Sequence, residues 1–470
     1  MDSHLRRPRK RPRRCYHGPV IKKTRAKVHL ADLSEDLLSV ILSKLPIKDA
    51  MRTGILSSKW KHMWKGCSKL KFDGTTVCSS SSVFGGQEHT QKFIDNVNAV
   101  MQQHLCMVVE ELVIRFGFDS RLMEHVNSWV GFAVSSRTES LALDLAPAKF
   151  RDDQYRFPVE LLDYATLYRL RHLQLSFVSF ELPHQFSGFP NLRTLDLHML
   201  RVTRKDLQDM LSNCVNLEWF SMVRCHLNDE LTVARPLSKL LYLRIVHCKI
   251  TKIVLNAVKL KSFLFYGRLY PINLGCAPEL EHAFLDFYSP VTLEHALTVL
   301  PRVLSNVQDL TLSALFPLKM PFPMETPWKF SQLKYLDLRL ILNHEEAGNI
   351  ISLASFLRAA PYIEKLELHF SVFDFAHRFS DPIKILPRCP YNYLKNLYIT
   401  GFSGTTAQLE LLVHVVENAH ALEILTIKGA NMFGGDLDHE GKIRFVSQFQ
   451  ELERRYLHGI ISQNVKLCIN

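Results

Sequence analysis

A short apolar phrase recurs along most of this chain, and no other feature limits its fold so sharply. The phrase reads apolar-x-x-apolar-x-apolar. It is clear at Leu170-x-x-Leu173-x-Leu175, at Leu192-x-x-Leu195-x-Leu197, and again from Leu240, Leu333, Ile363, Leu394 and Leu422. Looser copies begin at Val109, Thr138, Leu217, Leu260, Leu280 and Val307. Successive starts lie 20 residues apart (Leu240 to Leu260) to 32 apart (Thr138 to Leu170). Alternation within the phrase places every second side chain on one face of a strand. Between phrases come stretches with helical spacing, such as Thr203–Asn213 with Leu207, Met210 and Leu211. A single unit of this kind leaves an apolar side uncovered. Stacking unit on unit covers it, which predicts a coil with a parallel sheet on one side and helices on the other.

The extended phrase holds at Leu217, Phe220, Met222, Cys225 and Leu227, and at Leu240, Leu243, Ile245, Cys248 and Ile250. Phrase and period resemble the leucine-rich repeat. The resemblance implies an α/β solenoid, a horseshoe of parallel strands with outer helices. It also implies that Cys225 and Cys248 turn the backbone inside the core. Side chains between the buried ones face the concave side. In the middle units these are Trp219, Ser221, Tyr242, Arg244, Tyr266, His282, Phe284 and Asp286. Exposed aromatics and Arg are what a protein-binding hot spot uses. Trp219, Tyr242, Arg244, Tyr266 and Phe284 are therefore the candidate partner-binding residues. Packing of these rings along the sheet is the competing role.

Residues 30–68 carry a different pattern. Ser34 precedes Glu35 and Asp36, then Leu37, Leu38, Val40, Ile41, Leu42 and Leu45. A Ser cap with acids in the first turn suits the positive end of a helix. Leu37, Ile41 and Leu45 share one line, with Leu38 and Leu42 beside it. Pro46 closes the helix. A second short helix fits Ile47 to Leu56, and a third carries Trp60, Met63 and Trp64. Three short helices make a poor independent core, so part of this stripe calls for a partner.

The run Asp32–Ala50 (DLSEDLLSVILSKLPIKDA) and the run Leu56–Trp64 (LSSKWKHMW) resemble the F-box. That family usually has Leu-Pro where this chain has Leu33-Ser34. The resemblance implies docking on a Skp-type adaptor, with cullin and RING subunits reached through it. By position, the adaptor contact falls on Leu33, Ser34, Leu37, Ile41, Leu45 and Pro46, while Trp60 and Trp64 hold the helices together. A helical cap on the solenoid is the alternative role for this module. Near the other end, Leu394–Thr405 (LKNLYITGFSGT), followed by Leu409–Leu412, Glu417-Asn418-Ala419 and Leu422–Ile427, resembles the FBD segment of plant F-box proteins. Together these likenesses cover most of the chain. They imply a non-catalytic substrate-recognition subunit of an SCF-type ubiquitin ligase from a plant, holding an unknown substrate protein on the solenoid. Three readings stay open beside it: a repeat interaction protein without ligase assembly, a nuclear nucleic-acid binder, and a small-molecule receptor within the horseshoe.

The second of these arises from the charge. The chain is +12 overall, yet residues 1–27 hold eleven Lys or Arg against the single acid Asp2. The remainder is nearly neutral, so the basic balance describes an arm and gives no sign of a basic binding face. Pro8, Pro12 and Pro19 oppose a helix there. The clusters around Arg9, Lys10, Arg11, Arg13 and Arg14, and around Lys22 and Lys23, have the form of a two-part nuclear import signal. Residence in the nucleus, with the cytoplasm as a second location, is the expectation.

The 10 cysteines form no CxxC pair, which disfavours a structural metal site. With no apolar signal segment and no stretch near the membrane-spanning length, a soluble intracellular protein with reduced thiols is expected. No phosphate loop, GxSxG elbow or HExxH helix occurs, and no cofactor is implied. The expected organisation is a basic arm at 1–28, the F-box at 29–68, a connector at 69–108, repeats at 109–390, FBD-like terminal repeats at 391–430 and a C-terminal cap at 431–470.

Overall fold

The computed structural model describes residues 33–42, 44–45, 47–55, 60–77, 87–105, 107–147, 153–183, 186–319, 327–342, 347–372, 383, 385–429 and 439–469. Among them, fifteen strands form one sheet in which every strand lies beside its successor in the chain. The sheet begins at Lys69–Asp73 and ends at Lys466–Ile469, and its pairings are parallel throughout. Register follows the apolar phrase. Leu173 lies opposite Leu195, Leu195 opposite Phe220, Phe220 opposite Leu243, and Leu243 opposite Phe263. All five are buried. Each such side chain contributes about 1.5–3 kcal/mol on leaving water.

The sheet is longer than the repeats alone predict. Its first strand falls inside the stretch expected to be a connector, whose helix Gln87–Gln103 buries Phe93, Ile94, Val97 and Val100 against the coil. Its last strand falls inside the expected cap, after the helix His439–Leu452.

The outer layer departs from the expectation of helices all round. Met123–Ser135, Arg204–Leu211, Leu293–Thr298 and Thr406–Asn418 are helical. The last three start at a Thr whose hydroxyl oxygen accepts a backbone N–H, as at Thr203 from Asp206 (3.1 Å). Between Arg204–Leu211 and Leu293–Thr298, however, the outer segments are the short strands Glu230–Thr232, Lys252–Val254 and Ile272–Asn273, paired in a small parallel sheet. Unit length explains the change. The unit from Leu192 to Leu217 has 25 residues and houses a helix; that from Leu240 to Leu260 has 20 and leaves room only for an extended segment.

Where the chain leaves four successive strands it turns through the left-handed region. Phe177 (φ 60°), Met199 (54°), Arg224 (54°) and His247 (53°) each follow a strand directly. Such backbone is disfavoured for side-chain-bearing residues by about 1–2 kcal/mol apiece. Each position recovers a hydrogen bond to the next unit: Phe177 N–H donates to the His198 carbonyl (2.9 Å), Met199 to Val223 (2.8 Å), Arg224 to Val246 (2.8 Å) and His247 to Tyr266 (2.7 Å). Cys225 and Cys248 come next, buried, their Sγ atoms 3.4 Å from the carbonyl oxygens of Leu197 and Met222. Burial pushes the Cys225 thiol well up, so it stays protonated.

The FBD-like stretch carries a distinct device. The register of Asn396–Phe402 shifts against its neighbour between Ile399 and Phe402, and Gly401 sits there at φ +70°. A Cβ at Gly401 would collide with the Phe370 carbonyl oxygen. Gln408, buried on the following helix, then ties the loop: its Oε1 accepts from Ser403 N–H (2.8 Å) and its Nε2 donates to the Gly401 carbonyl (3.0 Å). One helical turn and a half further on, His414 lies buried with Nε2 2.8 Å from Tyr391 Oη. Asn418 Oδ1 accepts from Cys389 N–H (2.8 Å). Burial, aided by Arg358, lowers the His414 pKa to about 4.

Gly401→Ala meets both a disfavoured φ and a backbone collision. It should destabilise the protein by more than about 1 kcal/mol, read as a drop in the urea midpoint, whereas Gly131→Ala, whose Cβ meets nothing within 4 Å, should not. For His414 the unfolded chain binds a proton near 6.5 and the folded chain only near 4. Between those values the unfolded state holds more protons, so stability is lost as pH falls through that window. Unfolding of a His414→Gln variant at pH 6.5 and 4.5 should show a shallower loss than the parent chain; an identical slope would remove His414 from the acid response.

Candidate functional site

Two surfaces carry the candidate residues. The first lies on the three short helices Glu35–Leu42, Ile47–Arg52 and Trp60–Met63. Ser34 stands before the first, its carbonyl accepting from Leu38 N–H at 3.0 Å and its Oγ from Leu37 N–H at 3.4 Å. Leu38, Leu42, Ile47, Ala50, Trp60 and Trp64 turn inward and join the core that continues through Cys67 and Leu70 into the sheet. The two Trp rings are thus the packing elements of the module. Leu33 and Ile41 are half-buried against the same core.

What remains outward is apolar. Leu37 is 54% exposed, Val40 56%, Leu45 39%, Met51 39% and Ile55 89%. Among the residues expected to contact an adaptor, the structure turns Leu37 and Leu45 outward, exposes Ser34, and half-buries Leu33 and Ile41; Pro46 lies outside the described residues. Val40, Met51 and Ile55 were not anticipated. Their signal was present in the spacing: Val40 is three residues from Leu37, and Ile55 four from Met51.

The second surface is the inner face of the sheet, where in-register pairing lines up three rows. One row runs Thr194, Trp219, Tyr242, Ser262, His282, Asp309, Tyr335, Lys365. Trp219 and Tyr242 are its exposed aromatics, ring centroids 5.4 Å apart. The next row passes through Ser221, Arg244, Leu264, Phe284, Thr311, Asp337 and Glu367. Ser221 was expected to face solvent and is fully buried. Arg244 and Phe284 are half-buried, and the Arg339 guanidinium sits 5.7 Å from the Phe284 ring centre. Tyr266, in the third row, packs against His247 at 4.2 Å between centroids, so part of its ring is spent on a neighbour. The geometry brings Trp219 and Tyr242 together and leaves the other three spread along the sheet.

Farther along, the face is polar and charged. Asp337 is nearly buried and holds Arg339 (3.0 Å); Lys365 holds Glu367 (2.6 Å). His369 Nε2 lies 3.4 Å from Asp337 and 3.3 Å from Glu367, with its Nδ1 2.8 Å from Thr400 Oγ1. Burial alone would raise the Glu367 pKa, but Lys365 and His369 outweigh it and hold it below the ordinary carboxylate value. Asp337, Glu367 and His369 are the one trio among the described residues whose ligand atoms converge as a metal site would need. Arg339 and Lys365 already neutralise its two carboxylates, so the trio reads as a closed ion-pair network. The basic clusters at Arg9–Arg14 and Lys22–Lys23 lie outside the described residues.

Comparison with known proteins follows the same division. A family profile described as "At1g61320/AtMIF1, LRR domain" matches residues 100–451, well over half of the chain. The F-box domain profile matches residues 30–72. Among similar proteins of Arabidopsis thaliana, the F-box/FBD/LRR-repeat protein At1g13570 is 22% identical over 408 residues, covering 85% of this chain and 91% of its own length. The F-box/FBD/LRR-repeat protein At3g52680 is 26% identical, covering 86% of each. The F-box/LRR-repeat protein At3g26922 is 29% identical, covering 62% of this chain and 92% of its own length. A helical module with an outward apolar face, a parallel coil of leucine-rich units and a glycine-bulged terminal segment place this chain in the plant family of F-box/LRR-repeat proteins with an FBD-like region.

Proposed function

We propose that the chain is the substrate-recognition subunit of an SCF-type ubiquitin ligase, with the helical module seated on a Skp-type adaptor and a substrate protein held on the inner face of the coil. The observation that carries this reading is the outward set Leu37, Val40, Leu45, Met51 and Ile55 on a module that matches the F-box profile. Five large apolar side chains left outward on the first two short helices and the turns that follow them are the mark of a covered surface. Cullin and RING subunits would join through the adaptor. The substrate contact would centre on Trp219 and Tyr242, with Arg244, Tyr266 and Phe284 around them. In this role the chain performs no chemistry; it raises the local concentration of a substrate near the conjugating enzyme.

Under the same proposal the divisions are an arm at 1–28, the F-box at 29–68 and a recognition body beyond, with nuclear residence directed by the basic clusters. A repeat protein without ligase assembly is the competing function, and the Ser34 that stands where the family has Pro is the feature that favours it.

Affinity purification separates the surfaces. Leu37→Asp with Val40→Asp should abolish co-purification of a Skp-type adaptor while the chain stays folded, since both side chains point outward. Trp219→Ala with Tyr242→Ala should keep the adaptor and lose captured substrate proteins. An intact chain that binds no adaptor would leave the competing function standing. A fluorescent fusion lacking residues 1–28 should move from nucleus to cytoplasm; an unchanged distribution would rule out the arm as import signal.

A further inference from the structure

Along the inner face of the coil one charge after another is matched. Asp309 takes His282 (2.8 Å), Asp337 takes Arg339 (3.0 Å) and Glu367 takes Lys365 (2.6 Å). Glu218, at the edge of the face, takes Arg193 (3.7 Å). Ser313, Arg339 and His247 all act on the Asp286 carboxylate. Asp196 and Arg244 differ. Both are half-buried, and the side chain of neither makes a hydrogen bond or an ion pair with any described residue. Their fields meet at the half-buried His198 ring. Burial lowers the His198 pKa, Asp144 and Asp196 oppose that shift, and Arg224 and Arg244 add to it.

Strand pairing puts these two charges in one row. Asp196 lies opposite Ser221, and Ser221 lies opposite Arg244. Rungs of a sheet stand about 4.8 Å apart, which sets the two backbones roughly 10 Å from each other. The side chains do not close that gap, and neither uses the hydroxyl between them: Ser221 Oγ is fully buried and has no partner. A half-buried charge has given up part of its hydration. Here no described protein group replaces it. Trp219 and Tyr242 stand two residues before Ser221 and Arg244 on the same two strands, exposed, with ring centroids 5.4 Å apart. Residues two apart on a strand share a face. One small area thus holds an apolar platform and, alongside it, two unspent charges of opposite sign.

We propose that this patch selects a dipolar protein surface: an apolar side chain set on the Trp219 and Tyr242 rings, a carboxylate on Arg244 and a basic side chain on Asp196. The inference rests on the reading of the inner face as the substrate surface and names the chemistry that surface takes. A guanidinium offers a planar fork of donors that matches a carboxylate. Both signs are required because a wholly acidic partner meets Asp196 two rungs from Arg244, and a wholly basic one meets Arg244. The rings supply contact area, while the charges fix which partner is accepted and in which direction it lies across the strands.

The test selects binders of the full chain from a phage-displayed library of random peptides. Clones that bind the intact chain and are lost on Trp219→Ala with Tyr242→Ala are the inner-face clones. They should carry an acid and a base beside an apolar residue. Arg244→Glu and Asp196→Lys should each weaken them about tenfold or more, the loss of one charge-assisted hydrogen bond. The double exchange Asp196→Arg with Arg244→Asp should reject these peptides and bind versions in which acid and base are swapped. Inner-face clones without paired charges, or clones indifferent to both single variants, would overturn the inference and leave the inner face standing as the substrate surface. If every clone survives Trp219→Ala with Tyr242→Ala, or none is enriched, the reading of the inner face fails and the inference falls with it. Urea midpoints equal to the parent's show that the variants are folded. Should they unfold, a selected peptide must still shield Arg244 of the intact chain from phenylglyoxal, read by mass spectrometry; no shielding overturns the inference equally.

Discussion

Every part of this structure depends on one constraint: a parallel strand exposes its apolar face until the next strand, one unit later, arrives beside it. Leu195 is covered because Leu173 and Phe220 flank it in register, and those two are covered in turn by Leu141 and Leu243. No unit is stable alone, and the chain can be cut nowhere in the sheet without baring apolar surface. This explains why the sheet runs past the recognisable repeats at both ends. Lys69–Asp73 and Lys466–Ile469 give the terminal units a neighbour, and the helices Gln87–Gln103 and His439–Leu452 accompany them. The F-box helices shelter the first strand through Trp64, Cys67 and Leu70.

Much of this was legible in the chain. Period and apolar phrase located the strands of the main sheet from Glu111 onward, because one buried residue in two, repeated unit after unit, leaves a strong and regular signal. The first and last strands, KLKFD and KLCI, were missed for different reasons: Cys67-x-x-Leu70-x-Phe72 opens the phrase with a cysteine, and the last has Asn464 where the phrase has an apolar residue. The outer strands were missed for another reason. Leu231 and Ile253 are single buried residues in short segments, too few to define a period, and only unit length betrays that a helix cannot fit.

The sites show the same division between pattern and environment. The stripe on the first helix identified Leu37 and Leu45, while the direction of each neighbour depended on where the third helix packs. Trp60 and Trp64 draw Leu38 and Leu42 inward and rotate Val40 outward. On the coil, alternation placed Trp219, Tyr242 and Phe284 on the inner face, yet it could not foresee that Ser221 would be roofed over or that Tyr266 would lean on His247. Gly401 is a case where sequence held a clear mark whose cause needed the fold: the glycine in Thr400-Gly401-Phe402 answers the Phe370 carbonyl one strand away.

The change of outer layer in the middle of the coil bears on the shape of the inner face. A solenoid bends because its outer elements demand wider spacing than the strands they follow. Helices are about 10–12 Å across, whereas paired strands repeat every 4.7–4.9 Å. Where Glu230–Thr232, Lys252–Val254 and Ile272–Asn273 replace helices, both layers advance by the same step. The strands carrying Trp219, Tyr242 and Tyr266 are the ones followed by these outer strands, so no helix spreads the outer layer behind them. The outward pull that arches a coil therefore falls on the helix-bearing units to either side, Arg204–Leu211 before and Leu293–Thr298 after.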